Sequence, residues 1–94
     1  MKLSTKGRYA MVALVDLALQ PDGALSSLSD ISKRQDISLP YLEQLFVKLR
    51  RAELVESVRG PGGGYRLARP ATEIRAADVL AAVDETVSAL HTGA

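Results

Sequence analysis

The stretch Ser38–Arg51, SLPYLEQLFVKLRR, is the segment from which the fold can be worked out, because it combines an apolar stripe with a polar opposite face. At a helical period of about 100° per residue, four apolar side chains fall at positions i, i+3, i+4 and i+7. They are Leu42, Leu45, Phe46 and Leu49. We therefore predict a helix whose apolar stripe faces a core.

The opposite face of this helix carries mostly groups that can hydrogen-bond a base edge or neutralise a phosphate. It holds Pro40, Glu43, Gln44, Val47, Lys48 and Arg51, with Tyr41 on the flank. Ser38 is a suitable N-cap, and Pro40 suits the first turn, where its missing N–H costs little. An ordinary amphipathic surface helix would show the same pattern, so the neighbouring segments have to decide between the two interpretations.

A second, short helix is predicted from Ser27 to about Gln35, since Ser27 and Asp30 have the spacing of a helix-capping hydroxyl and its partner acid. The few residues that follow are enough only for a tight turn. Two helices joined in this way indicate a helix-turn-helix over about residues 27–51, although many helical hairpins that bind no nucleic acid look similar. The turn usually requires glycine, and here we expect Asp36 to adopt the left-handed conformation instead.

Two short β-prone segments follow, Leu54–Val58 and Tyr65–Arg69. Between them, residues 59–64 include four glycines and one proline. Such a tip lets the backbone approach a surface closely and leaves Arg59 as its only charge. Strand, glycine-rich tip and strand together predict a wing over about residues 54–69.

A nucleotide-binding loop is the alternative interpretation of these glycines. The Walker pattern needs Gly-Lys followed by Ser or Thr, and the dinucleotide fingerprint needs spaced glycines that open a helix. Neither pattern is present, and the segment that follows is β-prone. A hairpin turn without any ligand remains open, but a preceding helix-turn-helix favours the wing.

Two further helices are predicted at the ends of the chain. The first covers Thr5–Leu19, and its basic residues Lys6 and Arg8 either face a phosphate or are simply solvated. The last runs from about Ala76 to Val87, with Val79, Leu80, Val83 and Val87 on one face. Its exposed acids are poor DNA ligands and indicate packing structure or a partner surface: Asp78, Asp84 and Glu85.

The composition fits one small, mainly α-helical domain over residues 1–94. The 94 residues are 47% hydrophobic, with one Phe and no Trp, so Leu, Val, Ile and Ala must build the core. The absence of Cys excludes disulfides, thiolate metal sites and cysteine nucleophiles. A single histidine, His91, has no partners for a catalytic triad or a metal site. We therefore expect no enzyme activity, no cofactor, no metal and no small-molecule substrate.

The charges are distributed unevenly along the chain. Residues 1–69 carry 11 of the 12 basic side chains and 7 of the 11 acidic ones, whereas residues 70–94 carry 1 base and 4 acids. The first part therefore carries the positive field, although an asymmetry of this kind is also common by chance in a short chain. Asp16 interrupts the apolar run near the N-terminus, so we expect a cytoplasmic protein with no signal peptide and no membrane span.

Several blocks of the sequence closely resemble the IscR-type iron-sulfur cluster regulators and their winged-helix relatives. The matching blocks are GRYA at 7–10, LSDIS at 28–32, ISL at 37–39, YLEQLF at 41–46, VRGPGGGY at 58–65 and AVDE at 82–85. The resemblance implies a bacterial transcription regulator that binds operator DNA as a homodimer. It also implies a recognition helix in the major groove and a wing in the minor groove.

Carried over by position, the resemblance places residues of both elements at the DNA. They are Ser38, Tyr41, Glu43 and Gln44 in the helix, and Arg59, Gly60 and Pro61 in the wing. Pro40 stands where relatives often have a polar or small residue, so any hydrogen bond made from that position is lost here, and Asp36 stands where they usually have Gly. Relatives continue with a loop of three cysteines and a long dimerisation helix. Since the 94 residues stop before both, we expect no iron-sulfur cluster and, unless the acidic last helix substitutes for the dimerisation helix, a weak homodimer or none.

The sequence thus predicts a winged helix-turn-helix, mainly α with a small β-hairpin, that binds double-stranded operator DNA. The candidate DNA-binding residues are Lys6, Ser38, Pro40, Tyr41, Glu43, Gln44, Lys48, Arg51, Arg59, Gly60, Pro61 and Gly62. The alternative is a winged-helix protein-interaction module that uses its acidic last helix and does not bind DNA.

Overall fold

The structure is a computed structural model that describes residues 4–21 and 24–83. Helices and a two-stranded antiparallel hairpin follow one another in the order of a winged helix-turn-helix. The elements are α1 (Thr5–Ala18), α2 (Leu28–Gln35), α3 (Leu39–Arg51), β1 (Val55–Val58), β2 (Gly64–Leu67), a 3₁₀ turn (Ala71–Glu73) and α4 (Ala76–Val83). The predicted fold class is confirmed.

The predicted stripe of α3 lies at the centre of the core. Leu42, Leu45, Phe46 and Leu49 are all buried, together with apolar residues of α1, α2, β1 and α4. Phe46 has the largest of the fully buried side chains, and its ring packs edge to face on Tyr65 of β2, with ring centroids 4.9 Å apart. The buried side of α3 therefore packs directly against the hairpin.

Serine hydroxyls cap the N-termini of α1, α2 and α3. Ser4 Oγ accepts a hydrogen bond from Gly7 N at 2.9 Å, Ser27 Oγ from Asp30 N at 3.0 Å, and Ser38 Oγ from Tyr41 N at 3.2 Å. Each bond satisfies a backbone N–H that has no partner within its own helix. The caps fix where α1, α2 and α3 start.

The turn between α2 and α3 contains a left-handed residue at Asp36, as the sequence predicts. Asp36 has φ 54° and ψ 50°, which is the left-handed conformation, and its N–H donates to Ser32 O. A short polar side chain tolerates this conformation better than a bulky one. The helix-turn-helix is therefore built without the usual glycine.

The hairpin differs from the prediction at its second strand, which runs from Gly64 to Leu67 instead of Tyr65 to Arg69. Gly64 pairs with Val58. On its other edge β2 pairs with Ser26, through Ser26 N to Tyr65 O at 3.0 Å and Tyr65 N to Ser26 O at 2.7 Å. A Cβ on Gly64 would lie only 2.7 Å from Ser26 O, so this glycine is a strand residue at a close backbone contact.

Helix α4 packs against α1 and α3 and buries Val79 and Val83. A Cβ on Gly7 would collide with the Leu80 side chain, so α1 and α4 approach closely at this point. Asp78 is half-buried and not exposed as predicted, because its Oδ2 accepts from Arg75 N at 3.0 Å at the start of the helix. The predicted roles of Asp84, Glu85, Val87 and His91 lie outside the described residues.

No helix within residues 4–21 and 24–83 is long and apolar enough to cross a membrane.

Candidate nucleic-acid interface

Helix α3 presents a predominantly polar face away from the core. Pro40, Glu43, Gln44 and Arg51 are exposed, whereas Tyr41 and Lys48 are half-buried. The buried stripe already packs the opposite face, so the exposed side chains are not needed for the core. They are available to a ligand that approaches α3 from outside.

The start of α3 lies beside the start of α1. The rings of Tyr9 and Tyr41 pack edge to face, with centroids 5.6 Å apart. Together with Thr5, Asp36, Ile37 and Ser38 they line an open groove. Two of the predicted site residues, Ser38 and Tyr41, are thus brought together.

Lys6, next to Thr5 in the sequence, is exposed on the first turn of α1. Thr5 and Tyr9 were not among the residues that the sequence singles out. Their place in the groove depends on how α1 packs against α3, and the periodicity of α1 alone carries no information about that packing.

The tip of the hairpin is exposed and poor in side chains. Arg59, Gly60, Pro61 and Gly62 are all exposed. Gly60 has φ +110° and Gly62 has φ +72°, and a Cβ at either position would meet nothing within 4 Å. Glycine is therefore required at both positions by the backbone conformation and not by packing. A turn closes the tip through Gly63 N to Gly60 O at 2.9 Å.

Side chains of α3 contact the hairpin both in the core and at the surface. In the core, Phe46 packs on Tyr65. At the surface, Arg50 Nη1 donates to Ser57 Oγ on β1 at 3.4 Å. The polar face of α3 and the glycine-rich tip therefore belong to elements that are packed directly against each other.

A buried carboxylate connects α1 and α2. Asp16 on α1 is 2% exposed and accepts two hydrogen bonds from Arg34 of α2, Nε to Oδ2 at 3.0 Å and Nη2 to Oδ1 at 2.6 Å. Gln35 Nε2 donates to Asp16 Oδ2 at 2.9 Å, and Arg34 Nη2 also donates to Ser26 Oγ at 2.9 Å. This cluster, which we call the Asp16 cluster, ties α1 and α2 to the segment that pairs with β2.

The hydrogen bonds from Arg34 hold the pKa of Asp16 below its ordinary value of 3.8; the hydrogen bond from Gln35 adds to this effect, and burial opposes it. A carboxylate whose pKa is lower in the folded state stabilises the fold above its unfolded-state pKa. That contribution is lost as the pH falls through the folded-state value. We therefore expect the free energy of unfolding to decrease as the pH is lowered below about 4.

The measurement is urea unfolding at several pH values between about 5 and 2, for the wild type and Asp16→Asn. Asp78 contributes to the same pH window, because its pKa is lowered by the backbone hydrogen bond from Arg75. The difference between the two proteins isolates Asp16. Equal pH dependence in both would contradict its assigned role.

The described ranges contain no group of three or more His, Cys, Asp or Glu side chains that could hold a metal ion.

The fold and the exposed face of α3 define a winged helix-turn-helix protein of the kind found in transcriptional regulators. The sequence matches the family description "Rrf2: Iron-dependent Transcriptional regulator" over residues 3–93. The chain belongs to the Rrf2 family. This family contains the relatives that the sequence resemblance indicated.

Two relatives show how similar the chain is to named regulators. It is 76% identical over 96 aligned positions to the HTH-type transcriptional regulator IscR of Cereibacter sphaeroides, covering 100% of this chain and 62% of that protein. It is 61% identical over 89 positions to the protein of the same name from Vibrio atlanticus, covering 95% of this chain and 51% of that protein. Both relatives are named as regulators and not as enzymes.

Solved structures of other family members are similar in fold. T. potens IscR aligns with a TM-score of 0.82 at 47% identity, covering 88% of this chain and 61% of that one. CymR, named as the global cysteine regulator of B. subtilis, aligns with a TM-score of 0.84 at 39% identity, covering 89% and 65%. The chain thus spans less than two thirds of the length of these relatives.

Proposed function

We propose that this chain binds operator DNA in the bacterial cytoplasm and regulates transcription, with α3 in the major groove and the tip of the hairpin in the minor groove. One observation carries the proposal. The apolar stripe of α3 is completely buried, which leaves Glu43 and Gln44 exposed on a helix that packs directly against the hairpin. A major groove is wide enough to admit an α-helix.

The exposed side chains suit the reading of base edges. Gln44 can pair with adenine through two hydrogen bonds, and Glu43 can accept one from the amino group of cytosine. Glu43 also repels phosphate, so it contributes to discrimination and not to affinity. Arg59 at the tip suits a narrow minor groove, where the electrostatic potential is most negative.

Most of the other candidate residues on α1 and at α3 suit contacts with the DNA backbone. Lys6, Lys48 and Arg51 carry positive charge, and such contacts position a protein without reading sequence. The hydroxyls of Ser38 and Tyr41 can donate to phosphate oxygens beside the start of α3. Pro40 offers no donor, so it would contribute only van der Waals contact.

We expect Gln44→Ala to lower the affinity for a selected site by about 1 to 3 kcal/mol and to relax preference at one base pair. The reason is that the side-chain amide of Gln44 makes hydrogen bonds to one base, and duplexes with a different base pair at that position cannot make them. The matched comparison is Arg51→Ala, which should weaken specific and random duplexes alike and reduce the dependence of binding on salt. Fluorescence anisotropy with labelled duplexes at two salt concentrations measures both.

Two results would contradict these roles. If Gln44→Ala weakened selected and random duplexes equally, the glutamine would not read a base. If the wild type bound no duplex at low salt while remaining folded, DNA binding itself would be wrong. A protein-interaction module would then be the better description.

We further propose that the 94 residues bind DNA without holding an iron-sulfur cluster, because they contain no cysteine. A single module of this size buries roughly 600 to 1,000 Å² on DNA, so a lone copy should bind weakly and with a steep dependence on salt. A weak homodimer of these residues would improve affinity by placing two modules on one duplex. Sedimentation with and without duplex measures this association.

A further inference from the structure

Val47 is an exposed apolar side chain on the polar face of α3. It is 50% exposed, and it lies at positions i+4 from Glu43 and i+3 from Gln44. Arg51 follows it by four residues. Side chains at these spacings share one helical face, so Val47 lies in the middle of the face proposed to enter the major groove.

Packing in the core does not account for an apolar residue at position 47. The buried stripe of α3 is complete without it, and no apolar partner is needed at this position. A β-branched residue also lowers helix propensity slightly compared with alanine, lysine or glutamine. A single exposed apolar residue is common on protein surfaces, so its position among the base-reading side chains is what carries meaning.

The major groove contains one apolar group that a valine can recognise, the C5-methyl of thymine. The side chain suits this contact because it is short and holds a single preferred χ1 rotamer in a helix. It neither donates nor accepts hydrogen bonds, so it would disfavour the exposed amino group of cytosine at the same place.

We propose that Val47 is a specificity-determining residue that recognises the methyl group of a thymine next to the base read by Gln44. Three residues along a helix correspond to about 4.5 Å, and successive base pairs are about 3.4 Å apart. The thymine therefore lies one to two base pairs from the base that Gln44 contacts. This inference rests on the proposed DNA binding.

The test uses duplexes enriched by the wild-type chain from a randomised pool, in which each thymine is replaced singly by deoxyuridine. This replacement removes only the methyl group. At one thymine near the Gln44 base pair we expect the wild type to lose about three- to fivefold in affinity, which is the scale of one buried methyl group. Val47→Ala should lose most of this difference between the two duplexes, whereas Val47→Thr, which keeps one of the two γ-methyl groups, should retain a larger part of it.

Val15→Ala is the matched control, because Val15 is 52% exposed on α1 and makes the same change of side chain away from α3. This control should respond to deoxyuridine like the wild type. Three results would overturn the inference while leaving DNA binding intact: no sensitive thymine, equal sensitivity in Val47→Ala, or a selected site with no thymine within two base pairs of the Gln44 contact. If the folded wild type enriches no duplex, the proposed function fails, and the inference fails with it.

Discussion

Replacing Phe46 with alanine is expected to lower the free energy of unfolding by about 3 to 5 kcal/mol. Phe46 is 1% exposed and packs on Tyr65, so its removal leaves a cavity between α3 and β2 that the surrounding backbone cannot close. A domain of this length has a total stability of roughly 5 to 14 kcal/mol. The loss is therefore a large part of what holds the fold together.

Urea unfolding followed by circular dichroism measures the change. Val47→Ala serves as the control on the same helix, because Val47 is exposed and its truncation should change stability by less than about 0.5 kcal/mol. Phe46→Leu should lie between the two, since it keeps most of the buried volume. A loss of less than about 1 kcal/mol in Phe46→Ala would mean that the ring does not hold α3 to the hairpin.

The centre of the fold could be predicted from the sequence because its determinants are local. The stripe of α3 follows from the helical period, and the caps at Ser27 and Ser38 follow from residue type and position. The left-handed Asp36 could be predicted because the turn leaves few residues to choose from. In each case the deciding interaction spans only a few residues.

The hairpin could be predicted only in part. The sequence pattern assigns Gly64 to the glycine-rich tip, yet in the structure it pairs with Val58 on one side and lies against Ser26 on the other. The contact with Ser26 joins segments almost forty residues apart. No local sequence pattern distinguishes a glycine that is needed for a positive φ, such as Gly60, from one that is needed because another backbone segment lies too close for a side chain, such as Gly64.

The Asp16 cluster could not be predicted at all. In the sequence Asp16 only interrupts an apolar run, and Arg34 is one of two basic residues on α2. Their pairing depends on the crossing of α1 and α2, which buries the carboxylate and directs the guanidinium towards it. The candidate interface has the same limitation, since exposure follows from periodicity but the neighbourhood of Tyr9 and Tyr41 does not.

We expect Arg34→Met to lower the free energy of unfolding by about 3 kcal/mol, because it leaves the Asp16 carboxylate buried with Gln35 as its remaining side-chain partner. The value lies at the lower end of the range for broken buried ion pairs, since the Arg34 side chain is itself 38% exposed. Lys33→Met is the matched control. It removes the same charge from an exposed position of the same helix and should change stability by less than about 0.5 kcal/mol.

The two members of the pair are not equivalent. Asp16→Ala leaves Arg34, which can turn its guanidinium towards water, so this substitution should cost less than Arg34→Met. Combining Asp16→Ala with Arg34→Met removes the uncompensated charge and should recover part of the loss. A double-mutant cycle in urea measures the coupling. Strictly additive losses would show that the arginine acts through packing alone, and that the Asp16 carboxylate is not stabilised by the Arg34 guanidinium.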